Sequence, residues 1–184
     1  MTGIASKSQL RMSYLRYALF TVPLILLLGT VSGRMSVSGY DNAWFAALTK
    51  PAIMPPAWMF GAAWTILYIL LGLAIAIVLN ARGARGRGFA VGLFVAHMLL
   101  NFSWSPVFFA MHKIGTALLI VIAMLLTAAI VTFLFSRIRK GAALLMLPYL
   151  AWLSFATVLT YQIGQLNPNA ENLVPSGGGT DIIL

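Results

Sequence analysis

The sequence predicts an all-α membrane protein, built as a bundle of five transmembrane helices. Two observations lead to this prediction. Of the 184 residues, 61% are hydrophobic and 8% are charged. In soluble domains, roughly a quarter of all residues are charged. Five apolar stretches are also long enough to cross a bilayer, which takes about 20 residues per span. They cover residues 17–33, 57–79, 89–111, 114–135 and 141–163.

Each stretch is expected to be a helix rather than a strand of a barrel. Every backbone polar group in hydrocarbon must be hydrogen-bonded, and a single segment achieves this as a helix; the alternating pattern of membrane strands is absent from the sequence. A short turn near Met111–Gly115 predicts a tight hairpin of the third and fourth spans. Basic residues before the first stretch leave a signal peptide as an alternative there, but Gly29 and Gly33 favour a packed helix.

Basic residues divide unevenly between the two sides of a five-span chain. Nine of them precede the first span or lie in the loops after the second and fourth spans. Arg34, Lys50 and Lys113 lie on the other side, together with all three acidic residues. Cytoplasmic loops of membrane proteins carry an excess of Lys and Arg, so the N-terminus is predicted inside and the C-terminus outside.

The chain divides into three parts on this basis. Residues 1–16 are expected to form a cytoplasmic N-terminal segment and residues 17–164 the membrane domain. Residues 165–184 are rich in Asn, Pro and Gly and are expected to form a disordered tail. The outer loop over residues 34–56 is too aromatic for a simple linker, and a loop of this length often covers a site.

Several classes of function are disfavoured by the residue types present. The net charge of +9 sits in clusters beside apolar runs, which is typical of topology and anionic headgroups rather than nucleic-acid binding. The chain has no cysteine and no acid inside any span for a catalytic triad or ion-coupled transport. We therefore assign no catalytic residue, no metal and no cofactor. For His97, a hydrogen-bonded side chain is favoured over an axial haem ligand.

The third span carries two opposite stripes at helical spacing. One is polar and aromatic, and its Asn101 either bonds a neighbouring backbone or lines a cavity, because an amide facing lipid is costly. The other consists of small residues and could pack against another helix. Pro106 predicts a bend. The stripes are His97, Asn101, Trp104 and Phe108 on one face, and Gly88, Gly92 and Ala96 on the other.

Three tryptophans lie about two turns or more inside their spans. Interfacial anchoring is the simplest interpretation of Trp44 and Trp58, but Trp64, Trp104 and Trp152 are too deep for it. An indole N–H in hydrocarbon needs a partner. The three deep rings are therefore predicted to wall an apolar pocket for a flat ligand.

Motifs in the second, third and fifth spans point to a known family. The motifs stand in the family's order and spacing, and the similar region covers roughly residues 20–165. They are Lys50-Pro51 with Pro55 to Phe60 and Trp64 to Tyr68, then Asn101 to Phe109, then Pro148 to Trp152 with Ala156 and Leu159. Together they resemble the TspO/MBR family, the tryptophan-rich sensory proteins of bacteria and relatives of the mitochondrial translocator protein.

The resemblance implies a TspO-like bundle in a bacterial cell membrane, usually a homodimer, for which the small-residue stripe is the candidate seam. It also implies a pocket under the first loop that binds porphyrins such as protoporphyrin IX, whose propionates could reach Lys50 or Arg34. No basic residue follows Tyr161, so the sterol motif of animal members is incomplete. The implied ligand-binding residues are Trp44, Phe45, Trp64, Asn101, Trp104, Trp152 and Ala156.

The predicted function is therefore an integral membrane tetrapyrrole-binding protein, a sensor or translocator in porphyrin metabolism or stress regulation. Two alternatives stay open. One is an enzyme that degrades protoporphyrin IX in light, using the excited porphyrin, oxygen and indoles as electron donors. The other is a passive porphyrin transporter, because intramembrane acids that could couple the flux are missing.

Overall fold

The structure, a computed structural model, describes residues 7–173, and these residues form helices and no strand. Five helices in this range are long and apolar enough to cross a membrane, which confirms the predicted fold class. A short helix lies in the first loop and a single 3-10 turn follows the last span. The elements are α1 (Lys7–Met35), α2 (Ala43–Ala47), α3 (Ala57–Asn80), α4 (Arg87–Ser105) with a π-helical extension (Pro106–Ala110), α5 (Ile114–Ile138), α6 (Lys140–Leu166) and the 3-10 turn (Ala170–Asn172).

The five long helices pack in a ring whose order differs from their order in the chain. Helix α1 packs along α3, α3 along α6, α6 along α5 and α5 along α4, and α4 closes against α1 and α3. The half of the ring nearer the basic loops is filled with apolar side chains. Leu71, Phe135 and Met146 are fully buried there. The opposite half is open and holds the candidate site.

Helices α1 and α3 approach closely because glycines lie at their contact. A Cβ on Gly72 would stand 2.7 Å from the α1 backbone, and a Cβ on Gly29 would stand 2.1 Å from the ring of Tyr68. The Thr21 hydroxyl donates to the Gly72 carbonyl at 2.8 Å. The packing role predicted for Gly29 is therefore confirmed, and α1 is a packed member of the bundle.

Helix α4 ends in a wider turn at the position where Pro106 predicted a bend. Pro106 has no N–H to donate, and its own carbonyl accepts from the N–H of Met111 at 2.9 Å, five residues on. Such π-helical turns reorient the side chains that they carry. Here the turn carries Phe108 and Phe109, which are both buried against the first loop.

The prediction of a disordered tail from residue 165 is wrong for the part that the structure describes. Helix α6 continues to Leu166, and the chain then folds back over the first loop. The Asn167 amide donates to the Thr49 carbonyl at 2.9 Å and accepts from the Thr49 N–H at 2.8 Å, and Ala170 is 1% exposed. Asn, Pro and Gly are common in helix ends and turns as well as in linkers, so composition misled here. Residues 174–184 lie outside the described range.

Helix α1 also begins earlier than the membrane domain predicted to start at residue 17. The helix starts by Lys7, and its apolar span is Met12–Met35. The hydropathy pattern marks the part of a helix that lies in hydrocarbon. It does not mark the polar turns that extend the helix before it, which explains the difference.

Candidate ligand-binding site

Helix α2 covers the open end of the bundle. It begins at Asn42, whose Oδ1 accepts from the Phe45 N–H at 2.9 Å and whose Nδ2 donates to the Phe109 carbonyl at 3.0 Å. Side-chain caps of this kind stabilise a helix start that would otherwise leave free N–H groups. The indole of Trp44 donates to the Ala170 carbonyl at 2.8 Å. The cover is thus bonded both to the π-helical turn and to the C-terminal segment.

Lys50 fixes the other end of α2. Its Nζ donates to the carbonyls of Phe45, Ala46 and Leu48, the last two at 3.1 and 2.7 Å, and lies 4.6 Å from the centroid of the Phe45 ring. Desolvation by partial burial lowers the pKa of Lys50. Because its donors are bound within the loop, Lys50 does not reach the cavity, whereas Arg34 lines the mouth.

Under this cover the ring encloses a cavity of about 650 Å³, with walls from all five long helices. Trp44, one of the predicted ligand-binding residues, does not line this cavity. The Trp44 ring lies behind Phe108 at 5.6 Å, edge to face. Neighbouring residues on a helix point in different directions, and Phe45 takes the cavity side. The predicted residues that do line the cavity are Phe45, Trp64, Asn101, Trp104, Trp152 and Ala156.

The three deep tryptophans face this shared cavity, as their positions predicted. The rings of Trp64 and Trp152 meet edge to face, with centroids 6.4 Å apart and planes at 80°. The ring of Trp104 is stacked on Phe108 at 5.0 Å and 13°. Trp58, by contrast, is 69% exposed on the outside of α3, which suits the interfacial role expected for it.

The indole N–H groups of two of these residues have different surroundings. Trp104 donates to the Ala117 carbonyl at 3.1 Å. The N–H of Trp152 is buried and has no partner among the described residues. A buried unpaired donor costs about 1–3 kcal/mol. The nitrogen has almost no accessible surface, so it is the ring of Trp152, and not its N–H, that lines the cavity.

A chain of hydrogen bonds runs from the cavity wall into the bundle. The Tyr68 hydroxyl donates to Asn101 Oδ1 at 3.2 Å, and Asn101 Nδ2 donates to the Tyr149 hydroxyl oxygen at 2.8 Å. His97 Nε2 lies 2.8 Å from that same oxygen, and His97 Nδ1 lies 2.8 Å from Thr127 Oγ1. Tyr68 and Asn101 line the cavity, and the other three side chains lie behind it.

Of the two roles that the sequence left open for Asn101, the structure shows the cavity-lining one. The amide bonds the side chains of Tyr68 and Tyr149 rather than a neighbouring backbone. Both ring nitrogens of His97 are engaged and the ring lies behind the wall, an arrangement that leaves no nitrogen for haem iron. Sequence reasoning missed Tyr68, Thr127 and Tyr149 as partners. The only feature of the sequence that could have identified these three residues is that each places a polar atom inside an apolar span.

The small-residue stripe of α4 points away from the bundle. Gly88, Gly92 and Ala96 are all exposed, and a Cβ on either glycine would meet nothing within 4 Å in the described chain. Within residues 7–173, the stripe therefore packs against no other helix. It stays available as the predicted seam.

Comparison with known proteins agrees with the architecture and the motifs. A profile of the TspO/MBR family matches residues 21–166. The tryptophan-rich protein TspO of Chlorobaculum tepidum is 37% identical over 126 residues, which is 68% of this chain and 80% of the relative. The tryptophan-rich sensory protein of Cereibacter sphaeroides is 38% identical over 128 residues, 70% of this chain and 79% of the relative. The human translocator protein is 34% identical over 142 residues, 76% of this chain and 84% of the relative. The chain is a multi-pass membrane protein that belongs to the TspO/MBR family.

Proposed function

We propose that this protein binds flat, conjugated tetrapyrroles such as protoporphyrin IX in the cavity under α2, as a membrane sensor or translocator. The observation that supports it most is the convergence of Trp64, Trp104 and Trp152 on a cavity of about 650 Å³. Sites for small ligands typically measure about 300–1,000 Å³ and combine apolar walls with a few polar groups. Indole faces stack well on conjugated rings.

The mouth of the cavity suits a ligand with carboxylates at one edge. Arg34 lines the mouth, is exposed, and forms no ion pair within the described residues. Asp41 lines the same mouth, so the approach is not uniformly positive. A propionate would therefore be held best on the side of Arg34, where a guanidinium can bind a carboxylate with two parallel hydrogen bonds.

Titration of protoporphyrin IX into the purified protein, followed by quenching of tryptophan fluorescence, tests the proposal. Trp152→Phe replaces an indole that lines the cavity by a smaller ring, and we expect about fivefold weaker binding, as for the loss of about 1 kcal/mol of contact between aromatic rings. Trp58→Phe is the matched control, because Trp58 is exposed and outside the cavity. Equal affinities of the two variants would place the ligand elsewhere.

The contact between Trp64 and Trp152 favours light-dependent porphyrin degradation as a second candidate function. In light, both atoms of an oxygen molecule could add across a methine double bond of the bound porphyrin and open it to two carbonyl groups, with the two adjacent indoles as transient electron donors that regain their electrons within the same cycle. Illumination of the loaded protein should then yield a new absorption spectrum that Trp64→Phe and Trp152→Phe both lose. The same product forming at the same rate from free porphyrin in detergent would rule this activity out.

The proposal extends to a homodimer through Gly88, Gly92 and Ala96, because this stripe is exposed and open. The chain has no cysteine, so a single introduced cysteine reports one position. Oxidation of Gly92→Cys should give a disulfide-linked dimer in membranes. Phe133→Cys is the control, since Phe133 is exposed on α5 at a similar distance from the basic end. Crosslinking of Phe133→Cys alone would move the interface to α5.

The proposed orientation places the basic loops, and with them the N-terminus, inside the cell. Gly141 lies at the start of α6 beside Arg139 and Lys140, and Ala47 lies on the opposite cover; both are exposed. A membrane-impermeant thiol reagent applied to intact cells should label Ala47→Cys and leave Gly141→Cys unlabelled until the cells are broken. The opposite labelling pattern would reverse the orientation.

A further inference from the structure

Thr127 sets the direction of the hydrogen-bond chain behind the cavity. Its hydroxyl lies 2.8 Å from the Ala123 carbonyl and 3.1 Å from the Met124 carbonyl. A carbonyl can only accept, so the single Thr127 proton is donated to the α5 backbone. With that bond formed, the Thr127 oxygen can only accept toward His97, and His97 Nδ1 carries the proton.

The remaining bonds follow from this tautomer. His97 is 1% exposed and no acid lies in the described spans, so the imidazole is neutral and its Nε2 accepts from the Tyr149 hydroxyl. The Tyr149 oxygen in turn accepts from Asn101 Nδ2. This orients the Asn101 amide with its oxygen toward Tyr68, whose proton is donated to it.

The same five side chains could also be bonded in the opposite direction. Thr127 would then donate to His97 Nδ1, Nε2 to Tyr149, and Tyr149 to a flipped Asn101 amide, which would leave the Tyr68 proton directed into the cavity. That arrangement breaks the bond from Thr127 to the α5 backbone and forms no replacement within the described chain. The first direction therefore has one hydrogen bond more and is favoured in the ligand-free protein.

We infer that His97 and Thr127 determine the hydrogen-bonding pattern of the cavity wall, although neither lines the cavity. The chain makes the Tyr68 oxygen an acceptor. The cavity then selects flat ligands that carry an N–H or O–H next to Tyr68. The selection of ligands rests on the proposed function, whereas the direction of the chain does not. His97 is thus a positioning residue that acts through Tyr149 and Asn101.

Nitrogen-15 NMR of histidine-labelled, ligand-free protein tests the direction. The chain has two histidines, and His112→Asn leaves His97 as the sole signal; asparagine tolerates the positive φ of 57° at His112. We expect a protonated Nδ1 and an unprotonated Nε2. Thr127→Val should shift the proton to Nε2, and Thr127→Ser should keep it on Nδ1. A protonated Nε2 in the parent, or one tautomer in all three proteins, would overturn the inference.

Binding of carbazole and dibenzofuran tests the consequence, because the two probes share a flat shape and differ in an N–H donor against an oxygen acceptor. The ratio of the carbazole affinity to the dibenzofuran affinity should fall about fivefold in Thr127→Val relative to Thr127→Ser, which corresponds to one neutral hydrogen bond. An unchanged ratio would overturn the selection of ligands. If the tautomers behave as expected and protoporphyrin IX fails to bind, the proposed function fails and the chain direction stands.

Discussion

The two halves of the bundle are formed by the same helices and packed in opposite ways. Near the basic loops, small and aliphatic residues interdigitate, and Phe94 stacks on Phe135 at 5.7 Å, so the interior is filled. Near the cover, indole and phenyl rings meet edge to face around a cavity. The difference is therefore not one of aromatic content, because Phe94 and Phe135 are packed without a cavity in the filled half. The filled half holds the helices at fixed distances, and the open half can therefore keep a cavity.

The largest expected effect is a difference in the free energy of unfolding that is lost when an aromatic side chain is truncated in each half. Phe135→Ala should lower the free energy of unfolding by about 3–5 kcal/mol, because it leaves a new cavity in a fully packed region. Trp64→Ala enlarges a cavity that already exists and should cost less than half as much. Thermal unfolding of both variants in the same detergent gives the comparison. A greater loss for Trp64→Ala would mean that the open half, rather than the filled half, stabilises the bundle.

A smaller effect is expected when the two halves are filled further. Ala142 and Ala156 lie on the same helix, α6, but Ala142 is fully buried in the filled half and Ala156 lines the cavity. Ala142→Leu should destabilise by about 1–3 kcal/mol through overpacking. Ala156→Leu should leave the melting temperature nearly unchanged and weaken protoporphyrin IX binding at least tenfold. Unaltered porphyrin affinity in Ala156→Leu would remove the ligand from this part of the cavity.

The smallest effect concerns the ion pair at the edge of the cover. Lys113 and Glu171 lie 3.3 Å apart, with both side chains largely exposed. Such pairs contribute about 0–1 kcal/mol, so Glu171→Gln should change the unfolding free energy by less than about 0.5 kcal/mol. The difference should also vanish at high salt, because exposed charges are screened. A loss as large as that of Ala142→Leu would show that this exposed ion pair stabilises the fold as much as close packing in the filled half does.

The sequence predicted most of the open half because a helix repeats at a known angle. Once the spans were identified from hydropathy, periodicity placed Asn101 and Trp104 on one face, and depth in the span singled out Trp64 and Trp152. These inferences are local, since each uses the geometry of one helix. The cavity then follows from several inward faces meeting in one ring.

Apart from the earlier start of α1, the features that the sequence did not predict depend on contacts between distant segments. Trp44 turns away from the cavity because Ala170, from the C-terminal segment, accepts its N–H. His97 finds Thr127 on α5 and Tyr149 on α6, and no pattern within α4 identifies either partner. Composition likewise indicated disorder where Asn167 bonds Thr49. Pairings of this kind are decided by tertiary packing, so a single sequence without its fold leaves them open.

The most direct test of the cavity as the ligand site follows the five indole N–H signals of the protein by NMR after selective nitrogen-15 labelling of tryptophan. Saturation with protoporphyrin IX should give the largest shifts at Trp64 and Trp152, because their rings line the cavity and would lie beside the porphyrin ring, and leave Trp44 and Trp58 near their original positions. An unmoved Trp152 signal at saturation, with shifts confined to Trp58, would contradict the account, because the porphyrin would then bind on the outside of α3.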